Sequence, residues 1–315
     1  MRVGVHLANW GTATGSVERI TALSQAAEDL GFDSVWVTDH VVIPDEFASA
    51  YPIPGITHTP DTAAMTFEPI MTLAVVAGAT RRVGLGTSAL ISAQRNPLVT
   101  VKELTTLDVL SGGRLEVGLG AGWLEEEFAV LGAPPFAERG KVLDEHIAIF
   151  QAFWNEERPS FSGTYTSFPF VRFEPRPVRP GGPPLTIGGW SRSALRRAAR
   201  VDGWQPINVT PDQLVEPMAD LRRFRDELGR TTPPEVLLRC PAEVDDAAAP
   251  DPKRPLVGSA EKILDAIGRY AEVGVTGLIV SPALGKPLDA NLAAMQRLAA
   301  EVLPKVASAP GGSSR

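Results

Sequence analysis

The chain has 315 residues, a net charge of −7 and no dense run of lysine and arginine, which argues against nucleic acid or an anionic membrane as a partner. Its single cysteine, Cys240, excludes an internal disulfide, and its longest apolar runs are far shorter than a membrane span. Because Met1–Val5 opens a strand rather than a signal peptide, we expect a cytoplasmic protein.

The first third of the chain alternates short apolar strands with helices. After a strand at Val3–Ala8, Ser16 caps a helix whose apolar positions share one face, and Gly31 ends that helix where a left-handed residue is favoured. The pattern then predicts a strand at Ser34–Val37, a helix at Phe67–Ala79, a strand at Val83–Thr87 and a helix from Asn96-Pro97 to Gly112-Gly113.

The remainder of the chain repeats this alternation. Predicted strands lie at Arg114–Gly118, Leu185–Ile187, Gly203–Ile207, Glu235–Val244 and Val275–Val280. Helical patterns cover Leu124–Leu131 and Phe136–Trp154, and further helices start near Ser191, Pro211, Ser259 and Leu288. Loop insertions are expected near 41–66, 157–184 and 245–257, the second with a short hairpin at Phe161–Tyr165.

Eight predicted strands, most of them followed by a helix, indicate one α/β domain over residues 1–306 and a disordered tail at 307–315. The near-continuous apolar strands require a parallel sheet covered by helices, and this number of units favours a closed (β/α)8 TIM barrel over an open doubly wound sheet. An internal similarity supports the regularity, because residues 29–37 match residues 272–280 in residue type at every position.

The predicted strand Ser34–Val37 runs directly into Thr38, Asp39 and His40. Parallel α/β folds build active sites in this way, by delivering polar side chains at the carboxyl end of a buried strand. A second interpretation stays open, in which Asp39 caps a turn and His40 is a satisfied polar group at a strand edge.

Two glycine-containing loops follow other predicted strands. The glycines of Gly118–Trp123 lack the dinucleotide-binding spacing, so they either let loops pass closely or let a flat ring or a phosphate approach the backbone. Gly188-Gly189 is a better phosphate cradle, because free N–H groups and the dipole of the following helix favour an anion there. Arg192, Arg196 and Arg197 on that helix either support the cradle or form a solvated basic face.

The sequence shows neither the spacing of metal ligands nor the motif of a serine nucleophile. The histidines are scattered, at His6, His40, His58 and His146, and no serine nucleophile elbow is present. We therefore expect a site without a metal ion.

Five motifs at predicted barrel loops together resemble the luciferase-like monooxygenase superfamily. They are Ser34–His40, Leu85–Ser88, Arg95–Pro97, Gly118–Trp123, and Gly188–Ser191 with the following Asp202–Trp204. The last of them is similar to the coenzyme F420-dependent branch of that superfamily. The resemblance covers the chain from Val3 to about Leu303 and implies a (β/α)8 barrel that binds FMN or the deazaflavin F420 at its carboxyl face.

The resemblance also implies roles for individual residues. Asp39 would contact the deazaflavin, and His40 would be the acid/base or polarising group beside the transferred hydride. Ser88 and Ala89 match the position where several members hold a non-proline cis peptide behind the ring. Further cofactor contacts are implied for Ala121, Gly122, Gly188, Gly189 and Ser191.

The chain departs from the members that oxidise glucose 6-phosphate at two positions. It has Trp123 where they have a glutamate and Pro44 where they have a tryptophan. These differences weaken the case for that sugar phosphate as the substrate and for a second catalytic carboxylate.

The expected function is an F420-dependent oxidoreductase that moves a hydride between the deazaflavin and a small organic substrate. Trp10, Trp123 and the loop 41–66 are expected to form apolar walls over the ring. Two alternatives stay open: an FMN-dependent monooxygenase acting on an alkanesulfonate or aldehyde with a separate reductase, and a non-catalytic flavin-binding protein on the same barrel. The residues do not identify the substrate, the direction of hydride transfer or the oligomeric state, for which a homodimer is one candidate.

Overall fold

The structure, a computed structural model, describes residues 1–7, 9, 16–51, 67–249, 251–283 and 286–307. The strands are β1 Arg2–His6, β2 Ser34–Val37, β3 Gly84–Ile91, β4 Leu115–Gly120, β5 Phe161–Ser162, β6 Ser167–Phe168, β7 Leu185–Gly188, β8 Gly203–Gln205, β9 Glu235–Pro241, β10 Glu243–Val244, β11 Val257–Gly258 and β12 Gly277–Ser281. The α-helices are α1 Val17–Asp29, α2 Pro69–Ala79, α3 Pro97–Ser111, α4 Glu125–Val130, α5 Arg139–Asn155, α6 Arg192–Arg200, α7 Pro211–Glu227, α8 Ala260–Val273, α9 Leu288–Glu301 and α10 Leu303–Ala307. Short 3-10 helices lie at Ser92–Gln94 and Phe136–Glu138.

A closed parallel barrel is formed by strands in the order β1-β12-β9-β8-β7-β4-β3-β2. Helices lie between most strands that are consecutive in the barrel, so the predicted (β/α)8 TIM barrel is confirmed. The antiparallel pair β5–β6 is the hairpin predicted in the 157–184 insertion, with strands at 161–162 and 167–168. The extent of the single domain itself stays a prediction.

Several predicted boundaries differ from the structure. β3 runs on to Ile91 rather than ending at Thr87, because its pairing with β4 resumes at Leu90 after a shift in register. The strand predicted at 235–244 is divided, since β9 belongs to the barrel while β10 pairs with β11 outside it. The predicted disordered tail began at 307, but Ala307 ends α10, and residues 308–315 lie outside the described part of the chain.

The internal similarity predicted near the two ends of the chain corresponds to one structural unit used twice. Helix α1 is followed by Gly31 with φ +82°, and α8 is followed by Gly274 with φ +105°. Each glycine turns the chain into a buried strand, β2 or β12. The left-handed backbone at both turns explains why glycine stands at the matching position.

The barrel interior changes from ionic to apolar to polar along its axis. At the amino-terminal end of the strands Arg2 forms ion pairs with Glu116, at 2.8 Å, and with Glu235. Above them Trp36 packs with Leu237 and Ile279 in a cluster separate from the main core.

The large indole of Trp36 fits inside the barrel because its neighbouring strands carry glycine there. A Cβ atom added at Gly86 would lie 2.1 Å from the Trp36 ring, and one added at Gly4 would lie 2.5 Å from its Nε1 atom. Strand alternation places the residues two positions further on, His6 after Gly4 and Arg239 after Leu237, on the same interior face. Polar side chains therefore line the carboxyl end of the barrel, where this fold builds its sites.

Within the described residues, no helix combines the length and the apolar character needed to cross a membrane.

Candidate active site

His40 and Glu127 form a buried pair at the carboxyl end of the barrel. His40 follows β2 and is 6% exposed, and its Nδ1 lies 2.9 Å from Oε2 of the fully buried Glu127 on α4. The other carboxylate oxygen accepts the backbone N–H groups of Val41 at 2.7 Å and Val42 at 3.3 Å, and Nε2 of Gln94 at 3.4 Å. Since an ionised carboxylate only accepts, we assign the proton of this contact to Nδ1 of His40. Nε2 is then the ring nitrogen that can exchange a proton with a substrate.

Aromatic rings surround the outer side of His40. The Trp123 ring meets the His40 ring edge-on, with 5.8 Å between centroids. Phe47 and Tyr51 in turn meet Trp123 edge-on, at 6.3 and 5.2 Å. These aromatic rings make the surroundings of His40 less polar, and their role as a wall over the cofactor ring stays a prediction. Two further parts of the expected wall lie outside the described residues: Trp10 and residues 52–66.

The Asp39 carboxylate forms hydrogen bonds and an ion pair within the protein. Its fully buried carboxylate accepts the backbone N–H of Ile91 at 2.8 Å and Nη2 of Arg95 at 2.7 Å. Arg95 also pairs with Glu68 at 3.0 Å. Burial raises the pKa of Asp39, and the Arg95 guanidinium opposes that rise. Asp39 therefore anchors the end of β3, and its contact with a deazaflavin stays a prediction.

Small residues from three adjacent strands meet at the carboxyl end of the barrel. A Cβ atom added at Gly120 of β4 would lie 3.4 Å from Cβ of Ala89, and one added at Gly188 of β7 would lie 3.2 Å from it. We call Ala89, Gly120 and Gly188 the small-residue floor; all three are half-buried. The Ser88–Ala89 peptide bond is cis, as predicted, and the Ser88 carbonyl accepts from Arg239 at 2.8 Å. The floor provides a flat area of backbone that a planar ring can approach.

Ala121 and Gly122 continue β4 beyond the floor. Gly122 has φ +88°, and a Cβ atom there would lie 2.5 Å from the Phe128 ring and 2.9 Å from Ile91. Its carbonyl accepts Nε of Arg139 at 3.1 Å. These contacts explain the glycine by packing alone, so the cofactor contacts of Ala121 and Gly122 stay predictions.

The Gly188–Ser191 turn leads from the floor into α6. Gly189 has φ +114°, and its carbonyl accepts Nε1 of Trp204 at 2.7 Å. The Ser191 hydroxyl caps α6 by accepting the N–H of Ala194 at 3.2 Å. The turn and the first N–H groups of a nine-residue helix thus follow the floor directly, which is the arrangement predicted for a phosphate.

The three arginines of α6 do not gather around this turn. Arg197 pairs with Asp144 of α5 at 2.8 Å. Arg192 and Arg196 lie over the Phe224 ring, at 5.5 and 4.2 Å from its centroid, and more than half of each side chain is exposed. The alternative of a solvated basic face describes Arg192 and Arg196 better than support of the cradle does.

Glu127 is a residue of this site that the sequence analysis missed. It lies in the run Glu125–Glu127 at the start of α4, which reads as a charged first turn. One signal was available, because Glu127 stands three residues after Leu124 and directly before Phe128, on the apolar face of that helix. Separately, the described residues contain no group of three His, Cys, Asp or Glu side chains that could hold a metal ion.

Comparison with known proteins places this site in a family. The family model described as luciferase-like monooxygenase matches residues 1–251. An uncharacterized protein of Mycobacterium tuberculosis is 32% identical over 220 residues, which are 68% of this chain and 74% of the relative. The F420-dependent glucose-6-phosphate dehydrogenase of Amycolatopsis mediterranei is 34% identical over 166 residues, 52% of this chain and 45% of that protein.

The fold has solved counterparts as well. Monooxygenase RslO1 from Streptomyces bottropensis superimposes with a TM-score of 0.79 at 21% identity, covering 97% of this chain and 100% of that one. At this identity the likeness establishes the barrel fold. Since the family match spans most of that barrel, the chain belongs to the luciferase-like monooxygenase family.

Proposed function

We propose that the protein is an F420-dependent oxidoreductase that transfers a hydride between the deazaflavin and a small organic substrate. The buried pair of His40 and Glu127, 2.9 Å apart beside the Trp123 ring, carries the proposal. Hydride transfer leaves one proton to be taken up or released by the substrate, and a positioned histidine handles such a proton near neutral pH. The similarity to an F420-dependent dehydrogenase supports this choice of cofactor.

The described residues fit a flat cofactor that carries a phosphate. The floor of Ala89, Gly120 and Gly188 has room for a ring because a larger side chain at either glycine would cover Ala89. The Gly188–Ser191 turn, with the N-terminus of α6 behind it, would hold the phosphate end. When bound there, the deazaflavin supplies the centre that accepts or donates the hydride.

The protein's own groups then have separate tasks. Glu127 fixes the ring orientation and tautomer of His40, and Nε2 of His40 holds or releases the proton. Trp123, backed by Phe47 and Tyr51, would limit the access of water to the His40 ring. Proton exchange is thereby restricted to the bound substrate.

An FMN-dependent monooxygenase is the second candidate, because the chain belongs to the luciferase-like monooxygenase family. The floor and the turn suit either cofactor, since both cofactors combine a flat ring with a phosphate. The two candidates are therefore separated by binding rather than by geometry.

The test is a titration of the purified apoprotein with F420 and with FMN, followed by fluorescence. We expect micromolar or tighter binding of F420 and clearly weaker binding of FMN. FMN bound about tenfold more tightly than F420 would favour the monooxygenase. Binding of neither, or displacement of both by NADH alone, would contradict both candidates.

Gly188→Ala is expected to raise the dissociation constant for F420 by about tenfold, because the new methyl group would crowd the floor 3.2 Å from Cβ of Ala89. The matched control is Gly78→Ala in α2, where an added Cβ atom meets nothing within 4 Å. The same titration measures both variants. An unchanged dissociation constant in Gly188→Ala would show that the ring does not lie on the floor.

A further inference from the structure

Arg239 is a half-buried cation with few partners within the protein. It lies on β9 inside the barrel, two residues after Leu237 of the interior cluster. Its Nη1 donates to the Ser88 carbonyl at 2.8 Å, and this is the one hydrogen bond of its side chain to the described residues. Because a guanidinium has five N–H donors, most of its donor capacity is unused by the protein. Burial lowers the pKa of Arg239 to about 10, so it remains a cation at neutral pH.

Other arginines with ends inside the fold are compensated. Arg2 pairs with Glu116 and Glu235, and Arg95 pairs with Asp39 and Glu68. Arg114 donates to the carbonyl oxygens of Ser111, Val83 and Ala77 and to the Thr80 hydroxyl. Within the described ranges, no Asp or Glu forms an ion pair with Arg239.

A buried histidine lies beside Arg239, and its ring nitrogens have no hydrogen-bond partner among the described residues. His6 is 6% exposed on the interior face of β1, and neither ring nitrogen has a hydrogen-bond partner among the described residues. Burial lowers the pKa of His6, and the Arg239 charge lowers it further, so the neutral ring offers one N–H donor. The other titratable group that acts on Arg239 is Tyr51. Buried polar groups are normally satisfied, so the unpartnered His6 ring beside a guanidinium with unused donors indicates a missing acceptor.

We propose that Arg239 and His6 bind an anionic group of the substrate, such as a carboxylate, sulfonate or phosphate. A half-buried guanidinium with unused donors inside the barrel can donate two N–H groups to one oxyanion, and the orphaned His6 ring can donate a third. The protein would thus select small organic anions.

The position of Arg239 connects this subsite to the proposed chemistry, on which the inference rests. Its partner Ser88 precedes Ala89 of the floor, and Tyr51 links it to the Trp123 ring, which contacts His40. A molecule anchored by its anionic group at Arg239 can therefore extend along the floor toward His40. The anchor would fix which carbon of the substrate meets the ring.

The experiment compares sodium propionate with uncharged propionamide, by calorimetric titration at constant ionic strength, with and without F420. We expect propionate to bind the wild-type protein measurably and propionamide at least tenfold more weakly. Arg239→Met should lose about tenfold or more in propionate affinity. Arg239→Lys keeps the charge but loses the forked guanidinium, so its propionate affinity should lie between those of wild type and Arg239→Met. The control Arg192→Met, an exposed arginine on α6, should bind propionate like wild type.

The outcomes separate this inference from the proposed function. Equal binding of propionate and propionamide, or unchanged propionate binding in both Arg239 variants, would overturn the subsite even if F420 binds normally. Competition between propionate and F420, with F420 binding lost in Arg239→Met, would assign Arg239 to the cofactor and overturn the substrate subsite. Absence of F420 binding with intact propionate binding would contradict the proposed function alone.

Discussion

Replacement of His40 by alanine is expected to lower kcat by about 10²–10⁴-fold while the F420 dissociation constant changes little. The large effect follows from the position of the His40 imidazole ring. This ring is buried, hydrogen-bonded to Glu127 at 2.9 Å and in edge-on contact with Trp123. The small effect on binding follows because the cofactor would be held by backbone at the floor and the turn. Steady-state kinetics of F420 reduction or oxidation, with the titration above, measure both quantities.

Two further variants test whether His40 acts on a proton. Glu127→Gln keeps the volume but loses the carboxylate that fixes the tautomer, so kcat should fall by less than in His40→Ala and its pH profile should shift. His146→Gln is the control, since this histidine is also buried and its Nδ1 is hydrogen-bonded to the Ser92 hydroxyl at 2.8 Å. If His40→Ala only lowered the melting temperature, as we expect for His146→Gln, His40 would be structural.

The barrel could be predicted because its signals are local. Glycine turns, helix caps and short apolar strands repeat along the chain. The unit of helix, glycine turn and strand that ends in β2 occurs again, ending in β12. The path of β3 beyond Thr87 could not be predicted, because it depends on where Leu90 meets Leu119 of β4. Register between strands is set by contacts that no single segment encodes.

The site was predictable to the extent that it follows strand ends. His40 and Gly188 were proposed as site residues because each follows a predicted strand, and Ala89 because Ser88-Ala89 after the predicted strand matches the superfamily. The structure places all three at the carboxyl end of the barrel. Glu127 and Arg239 were not found, because a charged residue in a helix or strand pattern reads as exposed until the fold buries it. Their significance lies in partners 87 and 151 residues away.

Asp39 shows the same limit most clearly. The superfamily resemblance implied that Asp39 contacts the deazaflavin, and this contact stays a prediction. The fold in addition brings Arg95 and the Ile91 N–H to its carboxylate across more than 50 residues, which the sequence did not indicate. Its influence on a bound ring would then be indirect, through the end of the strand that carries Ala89.

We therefore expect Asp39→Ala to reduce the free energy of unfolding by about 3 kcal/mol. The change leaves Arg95, whose side chain is 14% exposed, with the more exposed Glu68 as its remaining ion-pair partner among the described residues. It also leaves the Ile91 N–H without its acceptor. Urea unfolding followed by circular dichroism measures the loss. The control is Asp212→Ala, which breaks a surface pair with Arg269 at 3.3 Å and should cost less than about 1 kcal/mol.

A second variant, Asp39→Asn, distinguishes an anchoring role of Asp39 from direct cofactor contact. In Asp39→Asn the amide oxygen can still accept the N–H of Ile91. If Asp39 acts through β3, this variant should therefore recover part of the stability lost in Asp39→Ala, and the same proportion of the lost F420 affinity. If Asp39 instead touches the ring through its charge, Asp39→Asn would lose affinity while remaining nearly as stable as wild type. Equal stability of wild type and Asp39→Ala would contradict the buried ion pair as a source of stability, because removal of one partner should leave the Arg95 charge uncompensated.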